Sequence, residues 1–205
     1  MVDFFAAHWL DILTTVLGLA YILLEYRASI WLWAVGFAMQ TLGIVLYYQK
    51  GLYADCGMEF YYLFMTVYGY FRWIRGAKQK KALPIRHFPK RLVLPWGLAT
   101  LAIWGFIYFL LVTFTNSNVP LADSFTTALS IVGIWALANK YLEQWLIWIA
   151  VDVVTSVLYL YKDIPFKASL YALYVIIAIC GYRRWKRMMG PTQPIPKGKS
   201  GKVKG

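Results

Sequence analysis

Charge is scarce in this sequence. Asp, Glu, Lys and Arg make up 15% of its 205 residues, whereas a soluble domain carries about 25% to cover its surface. That deficit excludes an ordinary globular fold. Cysteine occurs twice, as Cys56 and Cys180, without metal-type spacing, so both are expected to be inert thiols. Histidine is equally rare: His8 and His87 lie outside the apolar segments and offer neither a metal cluster nor a general base. A Gly-rich phosphate loop, a nucleophile motif and a soluble domain are all missing, so no enzymatic activity and no cofactor is expected. Energy coupling within the chain is then limited to gradients. The amino end, MVDFFAAHW, lacks a positively charged leader, so the first apolar segment is expected to stay as a membrane span.

What fills the chain is apolar and aromatic. Hydrophobic residues account for 60% of it, with ten Trp, sixteen Tyr and twelve Phe, a composition suited to a protein with two lipid–water interfaces to anchor. Seven stretches read as spans: 9–25, 31–48, 57–74, 94–113, 122–139, 144–161 and 169–186. Each has roughly 17–20 residues, near the minimum for a hydrocarbon core of about 30 Å. Helices satisfy their backbone hydrogen bonds internally, so the expectation is an all-α polytopic protein with seven transmembrane helices. Pro95 is placed in the first turn of the fourth span, where its missing N–H costs nothing.

The net charge of +12 does not point to nucleic acid, because its placement explains it as topology. With the amino end outside, the inside segments hold Arg27, the 72–91 block, Lys140 and the carboxyl-terminal block. That is eighteen of the 21 basic residues, and only Lys50, Lys162 and Lys167 lie outside. This asymmetry predicts a multi-pass protein of the cytoplasmic membrane, carboxyl end inside, with lipid as its surroundings. Residues 191–205 are rich in Pro, Gly and Lys and read as a disordered basic cytoplasmic tail following a single domain over 1–190.

The sequence also matches itself at an offset of 112 residues. Trp33 falls on Trp145, Leu46-Tyr47 on Leu158-Tyr159, Tyr62 on Tyr174, Gly69-Tyr70 on Gly181-Tyr182, and Arg72-Trp73 on Arg184-Trp185. The expected architecture is two parallel three-helix repeats, 9–74 and 122–187, joined by a central linker helix at 94–113. Parallel repeats about an axis along the membrane normal are a transporter architecture. A membrane receptor or assembly protein has less reason to be built this way.

Candidate site residues follow from the faces of the spans. Trp145, Trp148, Asp152, Ser156 and Tyr159 recur at steps of three or four and share one helical face. The corresponding face of the second span carries Trp33 and Gln40, and Gln40 corresponds to Asp152. Asp152 reads either as a structural carboxylate bonded to a neighbouring helix or as a functional charge, the default for an ionised group at membrane depth. Lining a cavity, it would favour a cation, and Trp145 and Trp148 could stack on a flat ring or anchor the interface. Glu59 suits either a helix amino end or a binding role. Tyr62 and Tyr174 could present hydroxyls to a cavity or anchor at interfaces. Glu25, Arg72 and Arg184 are placed at the cytoplasmic boundary, and Gly69 and Gly181 at close helix contacts.

These residues carry a family likeness. WLWAVGFAMQTLGIVLYYQKGLYAD followed by YGYFRWIRG resembles the first half of the PnuC vitamin transporters, and WLIWIAVDVVTSVLYLYKD followed by CGYRRWKR resembles the second. The sixth helix of the family has a Trp, a second Trp three residues on, and an Asn or Asp four beyond, a pattern met by Trp145, Trp148 and Asp152. The resemblance implies a seven-helix, SWEET-like transporter with those three residues at the substrate site. It implies uptake of nicotinamide riboside, with thiamine or riboflavin carried by related members. Transport would be facilitated diffusion, with an intracellular kinase trapping the product as a functional partner, no contact with the carrier being implied. A homotrimer is the family precedent.

Overall fold

The computed structural model describes residues 13, 16–49, 53–78, 83–115 and 118–189. The expected disordered tail and the segment 9–12 of the first expected span lie outside them. Among the described residues seven helices follow in order: α1 (Val16–Tyr26), α2 (Trp31–Gln49), α3 (Tyr53–Lys78), α4 (Lys90–Phe114), α5 (Pro120–Ala138), α6 (Gln144–Tyr161) and α7 (Pro165–Met188). Proline marks two of the starts, Pro120 and Pro165 each opening the first turn of its helix. The fourth helix begins a turn earlier than expected, after Pro89, so Pro95 stands inside it rather than in its first turn.

The expectation of seven spans is corrected to five. Among the described residues α2, α4, α5, α6 and α7 are long and apolar enough to cross a membrane. α1 has 11 described residues, about 16 Å of helix against a hydrocarbon core of about 30 Å. α3 has 26 residues, but Glu59, Tyr61, Tyr62, Tyr68, Tyr70 and Arg72 keep its hydropathy low. The expected pair of three-helix repeats about a central fourth helix is corrected too. α4 is peripheral, with no buried residue, and packs on α5. The most buried span is α5, half of which lies inside the protein.

What recurs at the 112-residue offset is a turn followed by a helix pair. Ala28 and Lys140 both sit in the left-handed region, at φ 51° and 53°. Their N–H groups donate to Glu25 O at 2.8 Å and Leu137 O at 2.9 Å. Trp33 then packs across Gly69 and meets Trp73 edge-on at 5.4 Å, while Trp145 packs across Gly181 and meets Trp185 edge-on at 5.7 Å. Glycine lets the two backbones approach until the indole fills the seam. Each second tryptophan ties its pair to another helix. Trp73 Nε1 donates to Ala138 O at 3.1 Å, and Trp185 Nε1 donates to Glu25 O at 3.0 Å. Arg72 Nε donates to Asn139 Oδ1, and Arg184 stacks over Tyr26.

These contacts gather the ends of α1, α3, α5 and α7 at one end of the bundle. The segment before α4 straps across it. Arg86 donates its N–H to Lys140 O and accepts from Leu142 N–H, and Glu143 accepts from Phe88 N–H at 2.7 Å. Lys140 lies over the Trp73 ring at 4.0 Å, and burial holds its ammonium below the usual lysine range. That end of the bundle is closed by packed aromatic rings.

Candidate functional site

A cavity of about 580 Å³ runs between α1, α2, α3, α5, α6 and α7, a size in the range of small-molecule sites. It follows α6 from Trp145 in the first turn to Lys162 at the C-cap, about 25 Å along the axis. At the Trp145 end its walls are buried: Trp145 is 1% exposed and Glu25 4%. At the other end Lys162 pairs with Asp123 at 3.9 Å, both side chains more than a third exposed. The cavity is therefore a blind well, open beside Lys162 and closed below Trp145.

The face of α6 divides as its sequence dictates. Trp145, Trp148, Asp152 and Tyr159 line the cavity, while Leu146, Val153, Val157 and Leu160 are exposed on the opposite side. Asp152 is buried and stands one turn, about 6 Å, beyond Trp148. The Trp148 indole N–H is buried and finds no hydrogen-bond partner among the described residues. Trp145 does two things, since it also repeats the packing of Trp33 against its own glycine and partner tryptophan.

Glu59, Tyr62 and Tyr174 line the cavity as well. Because α3 starts at Tyr53, Glu59 falls in its second turn, past the reach of an amino-terminal cap. Its side chain instead crosses α2 at Gly43, where a Cβ would come within 2.7 Å of the carboxyl carbon. Tyr174 extends its hydroxyl toward Gly18 of α1 and meets Tyr171 edge-on at 5.6 Å. Tyr171 in turn stacks with Tyr159 at 5.4 Å. Three of the candidate residues lie elsewhere. Trp33 is sealed in the seam between α2 and α3. Gln40 is turned off the cavity, to which α2 contributes Met39 and Tyr47, because one residue rotates a side chain by about 100°. Ser156 donates to Ala168 O at 2.8 Å and clasps α6 to α7.

The structure also brings in residues that sequence reasoning passed over. Glu25, assigned to the cytoplasmic boundary, is buried on the cavity wall beside Trp145. Thr126, Thr127 and Ser130 line it from α5, and Ser130 faces Tyr62. A hydroxyl stripe at 126, 127 and 130 is visible in the sequence at helical spacing and could have been read. Nothing along the chain distinguishes Glu25 from a carboxylate at a span end.

A helical membrane bundle around a blind well lined by carboxyls, hydroxyls and aromatic rings is the class of a small-molecule membrane transporter. The chain belongs to the family described as nicotinamide mononucleotide transporter, whose profile matches residues 8–187. It is 26% identical to the nicotinamide riboside transporter PnuC of Escherichia coli strain K12, with 86% of this chain and 84% of that protein covered. It is 26% identical to the riboflavin/roseoflavin transporter RibM of Streptomyces davaonensis, covering 93% of this chain and 91% of that one. Its fold is similar to the crystal structure of the vitamin B3 transporter PnuC, with a TM-score of 0.70, 21% identity, and 91% of this chain and 84% of that chain covered. The protein is thus a multi-pass membrane transporter of this family, as its residues led us to expect.

Proposed function

We propose that this protein carries nicotinamide riboside across the bacterial cytoplasmic membrane by facilitated diffusion. The observation that carries the reading is the charge of the cavity. Glu25, Glu59 and Asp152 face it together with Trp145 and Trp148, and Lys162, the one lysine among its described lining residues, is paired with Asp123. A carboxylate beside an indole suits a flat cationic ring, which can stack and be neutralised at once. At about 4 Å and an effective dielectric near 20 the attraction is of order 4 kcal/mol before desolvation is subtracted. The same charges disfavour a phosphorylated substrate, so the nucleoside fits better than the nucleotide. Trapping would fall to an intracellular kinase, and the assembly would be a homotrimer. The similarity to a riboflavin transporter over nearly the whole chain supports riboflavin as the second reading. Thiamine, cationic and aromatic like nicotinamide riboside, meets the same wall. Proteoliposomes are expected to take up labelled nicotinamide riboside down its gradient without ATP. If none of the three vitamins enters sealed vesicles holding folded protein, the reading fails.

The closed end is assigned to the cytoplasm. Support comes from the described basic residues at that end, among them Arg27, Arg72, Arg86, Lys140 and Arg184. The well is then open outward, ready to receive substrate. Reporter fusions after Trp73 and after Met189 should both report the cytoplasm. An external signal from either overturns the orientation.

A further inference from the structure

The two helix pairs correspond residue by residue, so each serves as a control for the other. At the 112-residue offset Leu137 corresponds to Glu25, and Leu32 to Gln144. Leu137 and Leu32 are both fully buried. Those two positions, one in each repeat, are filled by hydrocarbon. Their equivalents, again one in each repeat, hold a carboxyl and a carboxamide, 4% and 0% exposed. The architecture does not require polar groups there.

Nor does the fold satisfy them. Glu25 Oε1, Gln144 Oε1 and Gln144 Nε2 are all buried and find no hydrogen-bond partner of good geometry among the described residues. The Gln144 amide lies against the Glu25 carboxyl without closing on it. Arg184, the nearby cation of α7, stacks over Tyr26 instead. Buried polar atoms left unpaired cost stability, so the pair calls for an explanation, and a bound partner supplies one. Glu25 lines the closed end of the cavity beside Trp145, near enough to Asp152 for the two carboxyls to interact.

We propose that Glu25 is a second recognition point of this cavity, accepting a hydrogen bond from the carboxamide or ring amine of the substrate, with Gln144 as the positioning residue that holds the carboxyl. The inference rests on the reading that the cavity binds a cationic vitamin, and it deepens that reading by naming a group the substrate must carry. With the ring at Trp148 and Asp152, an N–H edge is delivered to Glu25. The carboxamide of nicotinamide riboside and the aminopyrimidine of thiamine both offer such an edge. A carboxylate in its place has no N–H to give and leaves the Glu25 acceptor unpaired. The cavity therefore selects the amide form of the vitamin over the acid form.

Nicotinamide riboside and nicotinic acid riboside differ only in that group and are the probes. Calorimetric titration of the purified full-length protein should show a preference for the amide of at least about 100-fold, as expected where a buried acceptor would otherwise be left unpaired. Glu25→Gln should shrink the preference to below about 10-fold, mainly by improving binding of the acid. The double variant Glu25→Leu/Gln144→Leu installs at both positions the leucine that stands at the repeat-equivalent position. It should erase the preference and raise the melting temperature of the ligand-free protein, because well-packed apolar groups replace unpaired polar ones. A structural role for the pair predicts a lower melting temperature with the preference kept. A preference retained in either variant overturns the proposal, whatever the stability. Binding of both ribosides by the wild type without preference overturns it alone, whereas failure to bind nicotinamide riboside, thiamine or riboflavin overturns it together with the vitamin reading.

Discussion

Asp152→Asn is expected to weaken the binding of nicotinamide riboside by about 5–150-fold while leaving the protein folded. The substitution keeps the size and hydrogen-bonding capacity of the side chain and removes only its charge. Asp152 is buried on the cavity wall, so much of its attraction for a cation is offset by desolvation of the carboxylate, and a net of about 1–3 kcal/mol remains. Neutral riboflavin should lose little by the same change. If the carboxylate instead braces a neighbouring helix, Asp152→Asn lowers the melting temperature and leaves affinity per folded molecule unchanged. Titration of the purified variant, with a melting curve taken without ligand, separates the two. Wild-type affinity for the cation in a well-folded variant excludes a direct role for the charge.

Gly181→Ala and Gly69→Ala should both be strongly destabilising, and only the first should also impair binding. A Cβ at Gly181 would stand 2.5 Å from the Trp145 ring, and one at Gly69 would stand 2.3 Å from the Trp33 ring. Neither indole can retreat, because each is 1% exposed and edge-packed on a second buried tryptophan. Overpacking of this kind typically costs about 1–3 kcal/mol, and rigid neighbours push it toward the upper figure. Displacing Trp145 shifts the first turn of α6 and the floor of the cavity, whereas displacing Trp33 disturbs a seam remote from it. Melting temperatures in detergent should fall for both variants, with affinity reduced in Gly181→Ala alone. Gly97→Ala, where no atom lies within 4 Å of the new Cβ, is the control and should melt like the wild type. Equal melting of all three would remove the tryptophan–glycine seams from the account of what holds the pairs together.

Much of this molecule is legible along the chain. The limits of α6 are those expected from its apolar run, because Lys140 and Pro165 bracket a segment in which periodicity and length agree. The tryptophan and glycine positions of the two helix pairs are visible as a repeat, since close packing in a membrane needs a small residue opposite a large one. The family follows from those same residues and is confirmed by comparison. The helix limits on which the number of spans depends are not legible in this way. The expected span 57–74 is part of a longer helix, α3, which is rich in tyrosine and faces the cavity.

Composition, the two tryptophan seams and the polar face of α6 were determined by the sequence alone, because each is a local pattern repeated at helical spacing. Which polar groups converge was decided only in three dimensions. Gln40 and Asp152 are equivalent in the repeat, but they do not share the cavity, because α2 presents Met39 and Tyr47 to it instead. Glu25 looks like an interfacial carboxylate until Trp185, 160 residues away, binds its carbonyl and fixes the end of α1 against α7. Burial belongs to the packing of helices distant in sequence, and no window along the chain contains it.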